Sequence, residues 1–155
     1  MDRALLSRVM QGDTVAIHQF GESDHCVVVD WKDGLDEIVA AVADFLPKGH
    51  LRLEAAGSTG SRLVRSDGTA IGAPEASIKQ EELLLLVNRA LAPEFELRRF
   101  RPNDGDAYSL LLAPSDFWDE LERAQPEATE RYFLSVERLA TYWRRGFLAR
   151  LLSKP

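Results

Sequence analysis

The stretch "HCVVVDWKDGLDEIVAAVADFLP", residues 25–47, contains the change of pattern on which the fold turns. Its first part, HCVVVDW, is rich in β-branched and aromatic residues, the composition of a strand. From Leu35 onward the apolar residues recur at Leu35, Ile38, Val39, Val42, Phe45 and Leu46, the spacing of one helix face, until Pro47 and Gly49 stop it. Four carboxylates, Asp30, Asp33, Asp36 and Glu37, crowd the junction, which suits an acid/base site, a metal site or a helix start. Asp33 stands immediately before the helix, where its side chain can accept from the free N–H groups of the first turn. Asp36 and Glu37 lie in that turn, where negative charge interacts favourably with the helix dipole. Helix capping thereby explains three of the four. Asp30 falls on the strand face of Cys26 and Val28, and is expected to be partly buried beside Lys32 or an arginine.

Working outward, TVAIHQF (14–20) has the same β-branched character as HCVVVDW (25–31), and the four residues GESD between them predict an antiparallel hairpin. HLRLEAA (50–56) alternates as a further strand. RLVRS and TAIG form a small hairpin across Asp67-Gly68, within a loop excursion running from Gly57 to Pro74. FELRRFR (95–101) and DAYSLLLA (106–113) flank the turn signal Asp104-Gly105 and predict a second main hairpin.

Helical patterns occupy the remaining segments. Asp2 caps a short helix that carries Leu5, Leu6, Val9 and Met10 and ends at Gly12. Ser77 with Gln80 is a capping-box pair, and LLLLV (83–87) makes the helix before Pro93 the most buried. Pro114 and Ser115 open a helix that runs through Ala124, and Gln125-Pro126 interrupts it. A long C-terminal helix follows, with Phe133, Val136, Ala140, Trp143, Phe147 and Leu151 as its stripe. The expected architecture is a single α+β domain over residues 1–155. It has two layers: a mainly antiparallel sheet of about five strands (14–20, 25–31, 50–56, 95–101 and 107–113) covered by helices.

A chain of 155 residues is long enough to bury a core without disulfides or metals. Its 45% apolar and 28% charged residues are ordinary for a globular protein, and no run of about 18 apolar residues is present to span a membrane. The N-terminus lacks the pattern of a secretion signal, and the single cysteine fits a reducing compartment, so a cytoplasmic location is expected. The net charge of −6 disfavours general nucleic-acid binding. The charge is also unevenly distributed: residues 102–130 hold eight acids against the single base Arg123, a net of −7. Residues 131–155 hold six bases against Glu137, a net of +5.

Motifs for chemistry are sparse. His25 and Cys26 are strand neighbours that point to opposite faces, so they form no thiol–imidazole dyad, and Cys26 reads as a core thiol. The three histidines, His18, His25 and His50, have no metal-ligand spacing, and no metal or cofactor is expected. AAGSTGSR (55–62) is glycine-rich but lacks the phosphate-loop spacing and a following helix. The arginines of RRFR (98–101) and of ERLATYWRRGFLARLL interleave with aromatics, which a helix packed on the core explains in the second case. The densest feature is DGDAYSLLLAPSDFWDELE (104–122). There Asp116, Asp119 and Glu120 cluster at a helix start near Asp104 and Asp106, while Phe117, Trp118 and Leu121 turn inward.

The combination of VVVDWKDGLDEIV (27–39), a long helix, and DAYSLLLAPSDFWDEL (106–121) resembles small bacterial α/β proteins of unassigned activity, and some proteins of similar size and composition are immunity proteins that bind and neutralise a cognate toxin. The resemblance implies a non-enzymatic inhibitor whose acidic surface occupies a toxin's active site. The leading expectation is therefore a protein-binding module of immunity type with Asp104, Asp106, Asp116, Asp119 and Glu120 as its surface. Its partner would be a toxin with a basic surface, with neither nucleic acid nor membrane involved. Two alternatives stand beside it: a small hydrolase or transferase using Asp30 with a distant histidine, and a regulatory module that docks through the basic C-terminal helix.

Overall fold

Helix formation starts at the first residues. In the computed structural model, which describes residues 1–56, 60–72, 79–102, 107–139 and 141, Asp2 caps helix α1 (Arg3–Met10), and its carboxylate accepts from the N–H groups of Ala4 and Leu5. Gly12, at φ +83°, takes the left-handed conformation that lets the chain reverse. Asp13 then caps helix α2 (Thr14–Gly21) through the N–H groups of Val15 and Ala16. This corrects the expected strand over 14–20. The β-branched Thr14, Val15 and Ile17 biased the reading, but Asp13 supplies the cap, and Ala16 and Phe20, four residues apart, are fully buried on one face. Tertiary packing outweighs a propensity worth only tenths of a kcal/mol per residue.

Strand β1 (Cys26–Asp30) therefore has no hairpin partner at 14–20. Helix α3 (Leu35–Ala43) follows it, and then a second sheet formed by β2 (Leu51–Ala56), β3 (Gly60–Arg65) and β4 (Ala70–Gly72). Helix α4 (Gln80–Leu91) leads into the hairpin of β5 (Phe95–Phe100) and β6 (Ala107–Pro114). Helices α5 (Ser115–Ala124) and α6 (Pro126–Tyr132) and strand β7 (Phe133–Ser135) follow. β1 pairs antiparallel with β6 in the register Val27 to Leu110 and Val29 to Tyr108. The strand order of the larger sheet is β1-β6-β5-β7, and that of the smaller is β2-β3-β4. Two antiparallel sheets thus replace the single five-stranded sheet expected. Residues 50–56 pair with β3, in the hairpin arm that reaches Gly68 at φ +85°, and not with the central strands.

Alternation along the larger sheet separates two cores. One face presents Val27, Val29, Leu97 and Leu110 to α3, α4 and the smaller sheet. The other presents Cys26, Phe100, Leu111 and Phe133 to α1, α2, α5 and α6. Each fully buried Leu, Ile, Val or Phe contributes roughly 1.5–3 kcal/mol relative to exposure, so both layers are needed to hold the sheet. Arg65 ties the smaller sheet to the turn before β5, donating to the carbonyl of Ala92 and to Glu94. His50, buried and edge-on to Phe95, places its Nε2 3.1 Å from the Glu94 carboxylate in the same region.

The expected long C-terminal helix is corrected in its first part. Phe133–Ser135 form β7, paired with Arg98–Phe100, because Phe133 joins the aromatic cluster with Phe20, Phe100 and Trp118. Helical structure resumes at Val136–Leu139, and the stripe through Trp143, Phe147 and Leu151 lies outside the described residues.

Asp13 offers a test of the corrected N-terminal reading. Its carboxyl is held below the usual range, first by the Ala16 N–H and then by Arg8, whose Nη2 lies 2.7 Å away. A lowered native pKa means that the stabilisation is present at neutral pH and is lost as pH falls through the native titration. Asp13→Ala should lower Tm at pH 7, and the difference from wild type should shrink steadily in thermal melts taken toward pH 2. A gap unchanged by acid would rule out the carboxylate cap.

Candidate partner-binding site

The four carboxylates at the β1–α3 junction resolve into local structure. Gly34, not Asp33, is the N-cap of α3, and the Glu37 carboxylate accepts from the Gly34 N–H at 2.9 Å. Asp33 instead accepts from the N–H of Asp30 at 2.7 Å, closing the turn, while Asp36 and Glu37 remain in the first helical turn. Asp30 is exposed, correcting the partly buried position expected, and its carboxylate accepts from the Lys32 N–H at 3.0 Å. The Gln80 amide donates to its carbonyl. The histidines have other neighbours: His18 lies against Glu22, His25 accepts from the Asp2 N–H, and His50 faces Glu94.

Cys26 is buried with its Sγ 3.5 Å from the Phe20 carbonyl, and burial pushes its thiol pKa up to about 12, far from a reactive thiolate. Among the described residues no group of three or more His, Cys, Asp or Glu side chains is placed to hold a metal ion, and no helix is long and apolar enough to cross a membrane.

A concavity lies elsewhere, at the β5–β7 end of the main sheet. A groove of about 700 Å³ opens between α5 and α6 on one side and α4 with Glu137 and Arg138 on the other. Its floor is set by strand alternation, which places Glu96 and Arg98 on the same face of β5. Arg98 is only 7% exposed. Its Nε and Nη2 donate to the two oxygens of Glu96 at 2.7 and 3.1 Å, and its Nη1 donates to Glu122 of α5. The guanidinium lies 4.5 Å from the centre of the Trp118 ring, whose Nε1 donates to the Glu96 carbonyl at 3.0 Å. Burial by itself would lower the Arg98 pKa; the hydrogen bonds to Glu96 and Glu122 outweigh it and leave the value raised.

Asn88, buried on α4, completes the wall. Its Oδ1 accepts from the Leu97 N–H at 2.7 Å, beyond the point where β7 stops covering β5, and its Nδ2 donates to Glu137 at 2.8 Å. A helix side chain here takes the place of a strand neighbour for a backbone group that burial would otherwise leave unsatisfied. Arg138 pairs with Glu130 at 2.8 Å. Both arginines among the described lining residues are thus matched to carboxylates. With Glu96, Glu122, Glu130 and Glu137 against Arg98 and Arg138, the described lining carries a net charge of −2.

Three of the acidic residues expected from sequence lie on a helix that walls this groove. Asp116, Asp119 and Glu120 are exposed on α5, the helix that also supplies Glu122, while Trp118 points fully inward and Phe117 and Leu121 are partly covered. Asp104 and Asp106 lie outside the described residues. The arginines of RRFR turn to partners within the chain: besides Arg98, Arg99 lies over Tyr108 and Arg101 donates to the Glu130 carbonyl. Sequence reading placed the acidic helix but missed Glu96, Arg98 and Asn88. The i, i+2 spacing of Glu96 and Arg98 on a strand was the available signal for the first two. No protein-family model, curated protein or solved structure matches this chain.

Proposed function

We propose that this chain is a protein-binding module, most concretely an immunity-type inhibitor. In this reading the acidic face of α5 and the adjoining groove receive a cationic region of a cognate toxin. One observation carries the reading: Asp116, Asp119 and Glu120 stand exposed on α5, the helix that supplies Glu122 to a groove whose two described lining arginines are already neutralised by Glu96, Glu122 and Glu130, leaving surplus negative charge to attract another molecule. Single-sign surface charge accelerates association and rejects partners of the same sign. An immunity role implies a cytoplasmic setting. Asp104 and Asp106 belong to the same proposed surface by charge.

The test is affinity capture of the partner from native cells, followed by association kinetics with the triple variant Asp116→Lys, Asp119→Lys, Glu120→Lys. The expected result is an association rate lower by about tenfold or more, with a flatter dependence on salt concentration. Kinetics identical to wild type would remove this surface from consideration.

A further inference from the structure

A second depression runs along the other flank of α5. It encloses about 260 Å³ between α1 and α5, walled by Leu6, Met10, Phe117, Leu121 and Ala124, with Glu120 at its rim and Arg3 on the opposite side. Leu6 and Met10 are buried in the core beneath the main sheet, whereas Phe117 and Leu121 are only partly covered. Here, then, that core reaches the surface. The volume exceeds the roughly 150 Å³ of an apolar cavity that accepts a benzene ring.

The cleft is continuous with the acidic groove. Gln125 borders both the cleft and a shallow depression over α6, and Pro126 borders both that depression and the groove. Around this corner residues 115–132 carry six exposed acids, of which Glu122 and Glu130 are paired with Arg98 and Arg138; Asp116, Asp119, Glu120 and Glu127 stand against Arg3, Arg123 and Arg131, a net of −1. An apolar centre inside a charged rim is the anatomy of a protein interface. On the α5 side the rim is acidic, with Glu120 on the cleft and Asp116 and Asp119 exposed on the same helix, and this side selects the occupant: a partner segment carrying lysine or arginine.

We propose that the α1–α5 cleft is the apolar centre of the partner interface. Its occupant is an amphipathic cationic segment of the partner protein, which sets a leucine-sized side chain against Phe117 and Leu121 and directs lysine or arginine toward Glu120. This rests on the protein-binding reading above and adds to it a location and a partner chemistry.

The experiment uses the full chain and three labelled synthetic peptides of equal length: an amphipathic Leu/Lys helix, its Leu/Glu counterpart and oligolysine. The Leu/Lys peptide should bind at least about tenfold more tightly than oligolysine, a difference of about 1.4 kcal/mol, and the Leu/Glu peptide should not bind. Ala124→Gln fills the cleft from an exposed helix position without altering charge or core packing. It should weaken the Leu/Lys peptide by about tenfold and leave oligolysine unchanged, with denaturation curves confirming the fold. Equal affinity of wild type and Ala124→Gln for the Leu/Lys peptide, or equal affinity of the two cationic peptides for wild type, would overturn the cleft while leaving an acidic protein-binding surface intact. The broader reading falls separately, on unchanged kinetics in the charge-reversal experiment with the captured partner.

Discussion

Trp118→Ala is expected to remove about 3–5 kcal/mol of unfolding free energy, more than truncation of any other side chain on α5. Trp118 is fully buried, and it serves the core and the groove together. Its ring meets Phe117 at 5.2 Å and Phe133 at 5.3 Å edge to face, its indole N–H satisfies the Glu96 carbonyl, and its face supports the Arg98 guanidinium. Truncation therefore leaves a cavity, an unmatched carbonyl and an unsupported charge at once. Trp118→Phe keeps the apolar contacts and loses mainly the hydrogen bond, so its cost should be nearer about 1–2 kcal/mol. Urea denaturation of the two variants distinguishes these contributions. With typical domains stable by only about 5–15 kcal/mol, Trp118→Ala should remove a large share of the stability and lower the urea midpoint accordingly. A loss below about 1 kcal/mol for the alanine variant would show that Trp118 is not packed as described.

Arg98→Ala is expected to cost about 3 kcal/mol and to change what the groove attracts. Removing one member of a buried ion pair typically costs about 3–5 kcal/mol, because the remaining charge is stranded. The Glu122 side chain is 52% exposed and can recover water, and only Glu96, at 23%, is held in place, so the lower end applies. Loss of the guanidinium moves the described groove lining from a net of −2 to −3, while Asp116, Asp119 and Glu120 are untouched. If the groove receives a cation, association of the captured partner should become faster at low salt even as the fold weakens. A slower association in a variant shown by circular dichroism to be folded would mean that Arg98 itself contacts the partner.

These effects depend on residues that the linear pattern treats very differently. The α5 helix was legible because Pro114 and Ser115 open it, acids fill its exposed side, and Phe117, Trp118 and Leu121 share its inner side. Glu96 and Arg98 were visible only as alternating charged residues in a strand. Their burial depends on α5, about twenty-five residues later, folding across them to bring in Trp118 and Glu122. Asn88 gave no signal at all: its role arises because β7 is three residues long and leaves Leu97, paired with Leu112 of β6 on one side, without a strand partner on the other. At the β1–α3 junction the helix start was placed within a residue, but the N-cap is Gly34: Glu37 reaches back from the first turn to the Gly34 N–H, and Asp33 closes the preceding turn on the Asp30 N–H.

By itself the sequence determined the elements whose signals are local. These are the capped α1, the α3 and α4 stripes, the β5–β6 hairpin, the turn at Gly68 and the break at Pro126, because capping, periodicity and turn stereochemistry act within a few residues. Tertiary structure alone decided that 14–21 is a helix, that β1 pairs with β6, that 50–56 joins a second sheet, and that Phe133–Ser135 closes the first. The helix at 14–21 and the closure by Phe133–Ser135 turn on burying Phe20, Phe100, Phe133 and Trp118 in one cluster, and the second sheet on burying Leu51 and Leu63 in the other; the free energy of each depends on contacts between segments far apart in the chain and exceeds local preferences of a few tenths of a kcal/mol.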